Sequence, residues 1–402
     1  MKTGRSHVVE VINNFFLRLF SAFLSTGIRQ FITLPFLASM FAREIYGTIL
    51  TINSVANIVE VSLGNTLNNT RIVTNSAYEE KKYQGDFNCF VLIAVAIGSL
   101  CSIALSFLFP HITIMVAILL WLVISLGILN GYYIVGFTMR LMFRDVFFQS
   151  AVVGLGTLIG IGITKLTGLW PFSFLVGNLF GLIFLYYKTP LMKERIQWSP
   201  LAKITAKKWE ILTLTSLLSN AMVYLDRLLL YPILGGGAVA VFTTATFFGK
   251  CVAALIPSAS NVLLAYFSKN NYKMRKDTFI KITGASLFFC FVCFIVSLPL
   301  APWITSIFYP SLIDEATHFL LLANAAALLA AAGTISQTIV LKFCKTFNLL
   351  LVQILYSLTY LGGGLLVLPA YGIYGFCWVA IMANIIRLSL LIGYGYKGVS
   401  II

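Results

Sequence analysis

The 402 residues are 59% hydrophobic and only 10% charged, with 28 Lys and Arg against 13 Asp and Glu for a formal net charge of +15. Apolar runs follow one another from Phe15 to Tyr396, each continuous over about twenty residues, which excludes a water-soluble domain and the short alternating strands of a membrane β-barrel. The cysteines are scattered and His7, His111 and His318 are isolated, so no disulfide framework, zinc set or catalytic dyad is indicated, and no cofactor or metal is expected.

The apolar windows predict an all-α polytopic membrane protein of about twelve transmembrane helices, near 15–41, 45–70, 87–109, 112–138, 145–166, 171–188, 209–233, 238–267, 278–300, 315–341, 348–369 and 373–396. Lys2 and Arg5 precede the first helix without a small-residue cleavage site behind a short apolar core, so that helix reads as a retained anchor. Within it Arg18 and Arg29 stand about three turns apart, nearly in line, with Ser25 between them. An ionisable side chain at membrane depth costs roughly 2.5–3.5 kcal/mol on insertion scales and is a functional candidate for that reason. Helix 2 carries Asn53, Asn57, Glu60, Gly64, Asn68 and Arg71 at steps of three and four residues. Such a polar stripe cannot face lipid and must face other helices or water.

Gly154, Gly156, Gly160 and Gly162 in helix 5 read as sites of close helix packing. No P-loop is present, so the chain is not expected to hydrolyse ATP. The loop from Lys188 to Lys208, with Pro190, Trp198 and Pro200, divides the chain into an N-terminal lobe (1–195, helices 1–6), a linker (196–208) and a C-terminal lobe (209–402, helices 7–12). Helix 7 offers Asn220, Tyr224 and Arg227 on one face with Asp226 adjacent. Helix 8 repeats the rhythm with Thr243, Lys250, Pro257 or Ser258, and Asn261. Cys290 and Cys293 in helix 9 have no companion ligands, and Gly362, Gly363 and Gly364 in helix 11 indicate tight packing or a bend.

The lobes look duplicated. Arg29 is followed by Pro35 and then Tyr46-Gly47; Arg227 is followed by Pro232, Gly235-Gly236-Gly237 and Phe242, at spacings that agree to within a residue or two. Parallel repeats of this kind place a transporter's substrate site between the halves, with chance similarity of apolar helices as the competing explanation. Basic residues gather on one side. Lys2 and Arg5, Lys81 and Lys82, Arg140 and Arg144, and the run Lys188, Lys193, Arg195, Lys203, Lys207 and Lys208 all fall there. So do Lys269, Lys273, Arg275 and Lys276, with Lys281 just inside helix 9, and then Lys342, Lys345 and Lys397. The opposite loops hold only Arg43 and Lys165 with Glu44, Asp314 and Glu315, so both termini are expected in the cytoplasm. The net charge therefore reads as topology and attraction to anionic membrane lipid, not as nucleic-acid binding.

Each polar position has a plainer reading. Arg18 can snorkel to headgroups, Arg71 can anchor the end of helix 2, and Asp226 and Arg227, about 100° apart on a helix, can make separate structural pairs. Glu60 can simply neutralise Arg29, and the asparagines can bind helices together.

The run Ile28-Arg29-Gln30 to Pro35, then Tyr46-Gly47 and Ser62-Leu63-Gly64, with Tyr224-Leu225-Asp226-Arg227, Leu234-Gly235 and Pro257-Ser258 in the second half, resembles the polysaccharide transporter branch of the multidrug/oligosaccharidyl-lipid/polysaccharide exporter superfamily. Within that branch the chain is similar to the Wzx-type O-antigen or capsule repeat-unit flippases. One departure is that Gly235-Gly236-Gly237-Ala238 and Phe242 stand where the family often has a Gly-Tyr pair. The resemblance implies a V-shaped, two-lobe alternating-access transporter in the bacterial inner membrane that flips isoprenoid-diphosphate-linked oligosaccharide, alongside other polysaccharide assembly proteins. On that reading Arg29 and Arg227 hold the diphosphate with Arg18 and Lys250 assisting, since a guanidinium fork suits phosphate. Asn53, Asn57, Asn68, Asn220 and Tyr224 bond the sugars, and Glu60 or Asp226 carries a coupling proton or sodium ion. Three rivals are weighed, and the first, a purely structural membrane subunit, would leave the polar stripes of both lobes unexplained. A multidrug exporter of the same superfamily would favour an acidic cavity, whereas the buried excess here is basic; a polysaccharide polymerase, an enzyme, would show a large outer loop, whereas the longest here, about Ala301 to Asp314, is short.

Overall fold

In hydrocarbon a single apolar segment can satisfy its backbone N–H and C=O groups only as a helix. The computed structural model describes residues 20–21, 24, 26–83, 86–109, 112–254, 256, 260, 274–344 and 346–399, and every regular element among them is helical. Lys2, Arg5, His7, Arg18, Ser25, His111, Pro257, Ser258, Asn261, Lys269, Lys273 and Lys345 lie outside the described residues. Seven of the described helices are long and apolar enough to cross a membrane.

The chain divides into two compact units, the first Met1–Met40 with Ile52–Tyr224, the second Phe41–Thr51 with Leu225–Ile402. The first described element is a π-helical turn, Ile28–Thr33, leading into α1 (Leu34–Met40). Pro35 lacks a donor and crowds the carbonyl four residues back, which fits a widened backbone just before it. α2 (Arg43–Glu60) runs through a second π-turn, Val61–Asn65, into α3 (Thr66–Lys81), where Lys82 adopts a left-handed conformation at φ 54°. The polar helix is thus longer than the window 45–70 indicated, because Thr70, Arg71, Thr74 and Tyr78 bury one face beyond the apolar stretch.

α4 (Asp86–Leu108), α5 (Ile114–Tyr133), α6 (Phe143–Thr167) and α7 (Phe172–Lys188) complete the apolar part of the first unit. α6 and α7 meet at glycine: a Cβ on Gly156 would lie 2.8 Å from the Val176 carbonyl oxygen, one on Gly160 would overlap the Phe172 carbonyl, and one on Gly154 would strike Ile28, whereas Gly162 faces open space. The connection after α7 is shorter than the sequence indicated. A 3₁₀ turn spans Leu191–Lys193 and α8 already begins at Ala202, running to Val223, so 202–208 is helical.

In the second unit α9 (Leu225–Ala245) is interrupted at Gly235, whose φ of 81° and ψ of −179° only glycine adopts easily, and α10 spans Phe247–Ala253. The predicted window 209–233 therefore breaks at Tyr224, where the backbone leaves helical geometry at the end of α8. α11 (Lys276–Phe308) continues through Pro299 and Pro302, and α12 (Ile313–Phe343) follows at once. This corrects the expected loop from Ala301 to Asp314: Ala301 and Thr305 are buried helical positions, and only Tyr309–Leu312 connect the two helices. Prolines raise the turn signal in a sequence, but a helix packed against neighbours tolerates them in a membrane. α13 covers Thr346–Gly398, 53 residues. Straight, it would reach about 80 Å, far beyond a hydrocarbon core of about 30 Å. Its break falls at Gly372, φ 58°, between the two predicted spans. The triplet Gly362–Gly364 is not the break: Gly364 lets Leu229 approach, at 3.0 Å from where a Cβ would stand.

Candidate functional site

In the first unit the polar stripe comes to rest on Arg29, carried by the π-turn. Its Nη1 donates to Asn57 Oδ1 at 2.7 Å, and Asn57 Nδ2 donates to Asn53 at 2.5 Å (carbonyl) and 3.3 Å (Oδ1). The guanidinium lies 5.6 Å over the Phe174 ring. Among the described residues no carboxylate stands within ion-pair distance of Arg29, and Asn53 Nδ2 is buried without a partner. Glu60 is close enough to interact electrostatically with Arg29, but its carboxyl folds against Gly127, where a Cβ would overlap it. The outcome is a half-buried cation whose hydrogen-bond and ring contacts are neutral, carried on one π-turn, a backbone form often found at functional sites.

The rest of the stripe makes structural bonds. Asn68 donates to the Gly131 carbonyl of α5 at 3.2 Å, and Gly64 lets α5 close in, a Cβ there falling 2.7 Å from the Ile128 oxygen. Asn220 donates to Ser216 at 2.8 Å (carbonyl) and 2.9 Å (Oγ) and reaches Ser62 Oγ at 3.4 Å. Tyr224 is half-buried at the end of α8, its backbone N–H 3.3 Å from the Asn220 carbonyl.

Arg71 forms a lock with residues the sequence analysis left unassigned. It grips Glu194 with both Nη atoms, at 2.9 and 2.5 Å, bonds the Tyr132 hydroxyl at 2.5 Å and lies 5.0 Å over the Phe87 ring. Next to it Asn88 Nδ2 donates to the carbonyls of Leu191 and Glu194. Asp86 accepts the Ser199 N–H and hydroxyl at 2.5 Å and the Tyr78 hydroxyl at 2.6 Å. Burial first, and then the hydrogen bond to Asp86, push the Tyr78 phenol well above the usual tyrosine range. The connecting segment is therefore fastened into the first unit by buried charge.

In the second unit Asp226 and Arg227 do not pair side chain to side chain, as their helical angle demands. Asp226 Oδ2 takes Lys250 Nζ at 2.5 Å, and Oδ1 accepts the Arg227 backbone N–H at 2.9 Å. Lys250 also lies 5.8 Å over the Phe242 ring. Arg227 is buried, within electrostatic reach of the Tyr46 and Tyr309 hydroxyls. Thr243 Oγ1 is buried without a hydrogen bond. At the start of α2, Arg43 pairs with Glu315, Glu44 accepts the Gly237 N–H at 2.7 Å, and Gly47 meets Gly236 so closely that a Cβ would overlap its carbonyl. The two glycine motifs that mark the repeat thus touch each other.

Sequence reasoning passed over Arg387. It sits inside the last apolar window and gives the same kind of signal as Arg29, an arginine in a membrane-length run. Its Nη2 bonds Gln337 of α12 and its guanidinium lies 5.2 Å over the Tyr356 ring.

No family model and none of the curated proteins matches the chain by sequence. Solved structures do match in fold. The lipid II flippase MurJ in an inward closed conformation is similar with a TM-score of 0.73 at 14% identity, covering 98% of this chain and 90% of that one. An inward-facing multidrug resistance MATE transporter of the MOP superfamily gives 0.65 at 14% identity, covering 94% and 98%. The Vibrio cholerae MATE transporter VcmN in its bent form gives 0.64 at 15% identity, covering 100% and 99%. The chain therefore has the helical fold shared by a lipid flippase and the MATE transporters of the MOP superfamily.

Proposed function

We propose that the chain flips isoprenoid-diphosphate-linked oligosaccharide repeat units across the bacterial inner membrane for O-antigen or capsule synthesis. The observation that carries the reading is Arg29, a half-buried cation among neutral partners, Asn57 and Phe174. A diphosphate loses strong hydration in leaving water, and a guanidinium fork can replace it with charge-assisted hydrogen bonds. Arg29 and Arg227 are the proposed diphosphate ligands, with Arg18 assisting. Lys250 would join them by exchanging Asp226 for the lipid anion. Asn53 and Asn57, with Asn68, Asn220 and Tyr224 further along, are the proposed sugar contacts, and the isoprenoid stays in lipid. Glu60 or Asp226 is the proposed carrier of a coupling proton or sodium ion. Both termini are proposed to lie in the cytoplasm, the side that the positive-inside rule favours for the basic loops. The MurJ likeness supports the reading, since that protein is named a lipid flippase.

The test is a deletion strain complemented with variants. Arg29→Ala and Arg227→Ala should lose surface polysaccharide while the protein remains at wild-type level in the membrane, and lipid-linked repeat units should accumulate out of reach of an outer-leaflet probe. Normal surface polysaccharide in both variants contradicts the assignment. A second reading, export of cationic drugs, draws on the MATE likeness and on Glu60, which makes no ion pair among the described residues. Under it the deletion changes drug tolerance and leaves the glycolipid unaltered.

A further inference from the structure

We infer that Arg387 forms a second oxyanion-binding position in the second unit, taking a phosphate or sugar carboxylate of the transported substrate. The inference rests on the flippase reading and deepens it. The argument begins with charge. The second unit contains five carboxylates, Glu44, Asp226, Asp277, Asp314 and Glu315. Asp226 pairs with Lys250, Asp277 with Arg275 and Glu315 with Arg43, while Glu44 accepts the Gly237 N–H. Asp314 is exposed at the start of α12, twenty-three residues before Gln337, which is about 35 Å along the helix axis. Among the described residues no carboxylate side chain of the unit therefore answers Arg387, although a charge in the interior of a helix bundle calls for a counter-ion or water.

What surrounds Arg387 is suited to a ligand. Gln337 fixes one end of the guanidinium and the Tyr356 ring lies beneath it, while Nε is buried with no hydrogen-bond partner. Gly333 faces it from α12, where an added Cβ would come into ordinary van der Waals contact with the guanidinium at 3.9 Å, so the glycine keeps that side of the group unobstructed without straining it. The mounting is rigid. Tyr356 packs on Tyr360 at 5.8 Å, Tyr360 on Phe376 at 5.5 Å and Phe376 on Phe242 at 5.3 Å, the ring over which Lys250 lies. This aromatic ladder holds Arg387 at a fixed separation from the Asp226–Lys250 pair and limits the entropy lost when an anion binds. A planar fork beside a half-buried tyrosine and an amide can grip either a phosphate or the carboxylate of an acidic sugar.

The experiment uses the full chain in lipid nanodiscs, with farnesyl diphosphate and glucuronate as probes and glucose as the neutral control, measured by calorimetry. Arg387→Gln should weaken at least one anionic probe by about ten-fold or more, in line with loss of a charge-assisted contact. Loss confined to farnesyl diphosphate assigns the position to the lipid's diphosphate, and loss confined to glucuronate assigns it to an acidic sugar. Arg387→Lys, which keeps the charge without the fork, should retain an intermediate affinity. If Arg387→Gln does not fold, Arg387→Lys alone should still bind about three-fold or more weakly, and unchanged affinity contradicts the proposal. Wild-type affinity for both probes in Arg387→Gln, with Arg29→Gln weakened for the diphosphate, overturns the inference and leaves the flippase reading standing. A wild-type protein that binds neither anion overturns both.

Discussion

What answers the charge distinguishes the buried cations of this chain. Arg71 has Glu194 in a two-pronged pair and Lys250 has Asp226, whereas Arg29 has the amide oxygen of Asn57. A cation already matched by a carboxylate is held by its own protein, while one hydrogen-bonded to a neutral amide retains more of its attraction for an incoming anion. Arg29→Lys therefore keeps the charge but loses the planar fork, and repeat-unit translocation should fall part-way between wild type and Arg29→Ala; full activity would show that geometry at this site is unimportant. Arg71→Ala should act on stability instead, leaving the half-buried Glu194 unpaired at a cost of about 1–3 kcal/mol, read as a clear drop in the thermal unfolding of detergent-solubilised protein. An unchanged melt would contradict the lock. Three- and four-residue spacing fixes that Asn53 and Asn57 share a face, and Arg29 stands out in the sequence as an arginine inside an apolar run. It could not reveal Glu194, which lies in a connecting segment without periodicity, nor that Lys250 reaches back twenty-four residues to Asp226.

At the scale of elements, glycine decides where helices approach and where they break. Gly47 and Gly236 meet backbone to backbone, so Gly47→Ala should force α2 off α9 and sharply reduce folded protein, measured by size-exclusion chromatography after extraction. Gly162→Ala, at a position facing open space, should be tolerated and provides the control. The spacing of glycines in α6 points to this close packing, since Gly156 and Gly160 share one face. Helix ends were less legible. The run Ala301–Phe308 contains Pro302 and follows Pro299, and its helicity depends on neighbours that local sequence does not encode. The π-turns at Ile28–Thr33 and Val61–Asn65 left no sequence signal beyond the nearby Pro35 and Gly64.

At the scale of the whole molecule, membrane-length apolar runs and an absence of strand signals were enough to read an all-helical polytopic protein, because a bilayer admits so few backbone solutions. The likeness to MurJ and the MATE transporters over nearly the entire chain agrees with that reading at an identity too low for sequence matching to detect. Orientation rests on charge asymmetry alone. Single cysteines placed at Lys82 and Lys193 should be protected from a membrane-impermeant thiol reagent in intact cells, and one at Lys165 should be labelled; the reverse pattern would invert the topology. The boundary between units was less legible. Contacts assign Phe41–Thr51 to the second unit and α8 to the first, a division by packing that no composition shift along the chain announces.

The most direct measurement is translocation by the purified protein. Proteoliposomes would carry a fluorescent polyprenyl-diphosphate-linked sugar, and a quencher confined to the outside would report the fraction of label facing out over time. The account predicts that wild-type protein makes nearly all of the label reachable while protein-free vesicles and Arg29→Ala vesicles stop at about half. Equal accessibility in all three would contradict the claim that this chain moves a lipid-linked anion through a site built on Arg29.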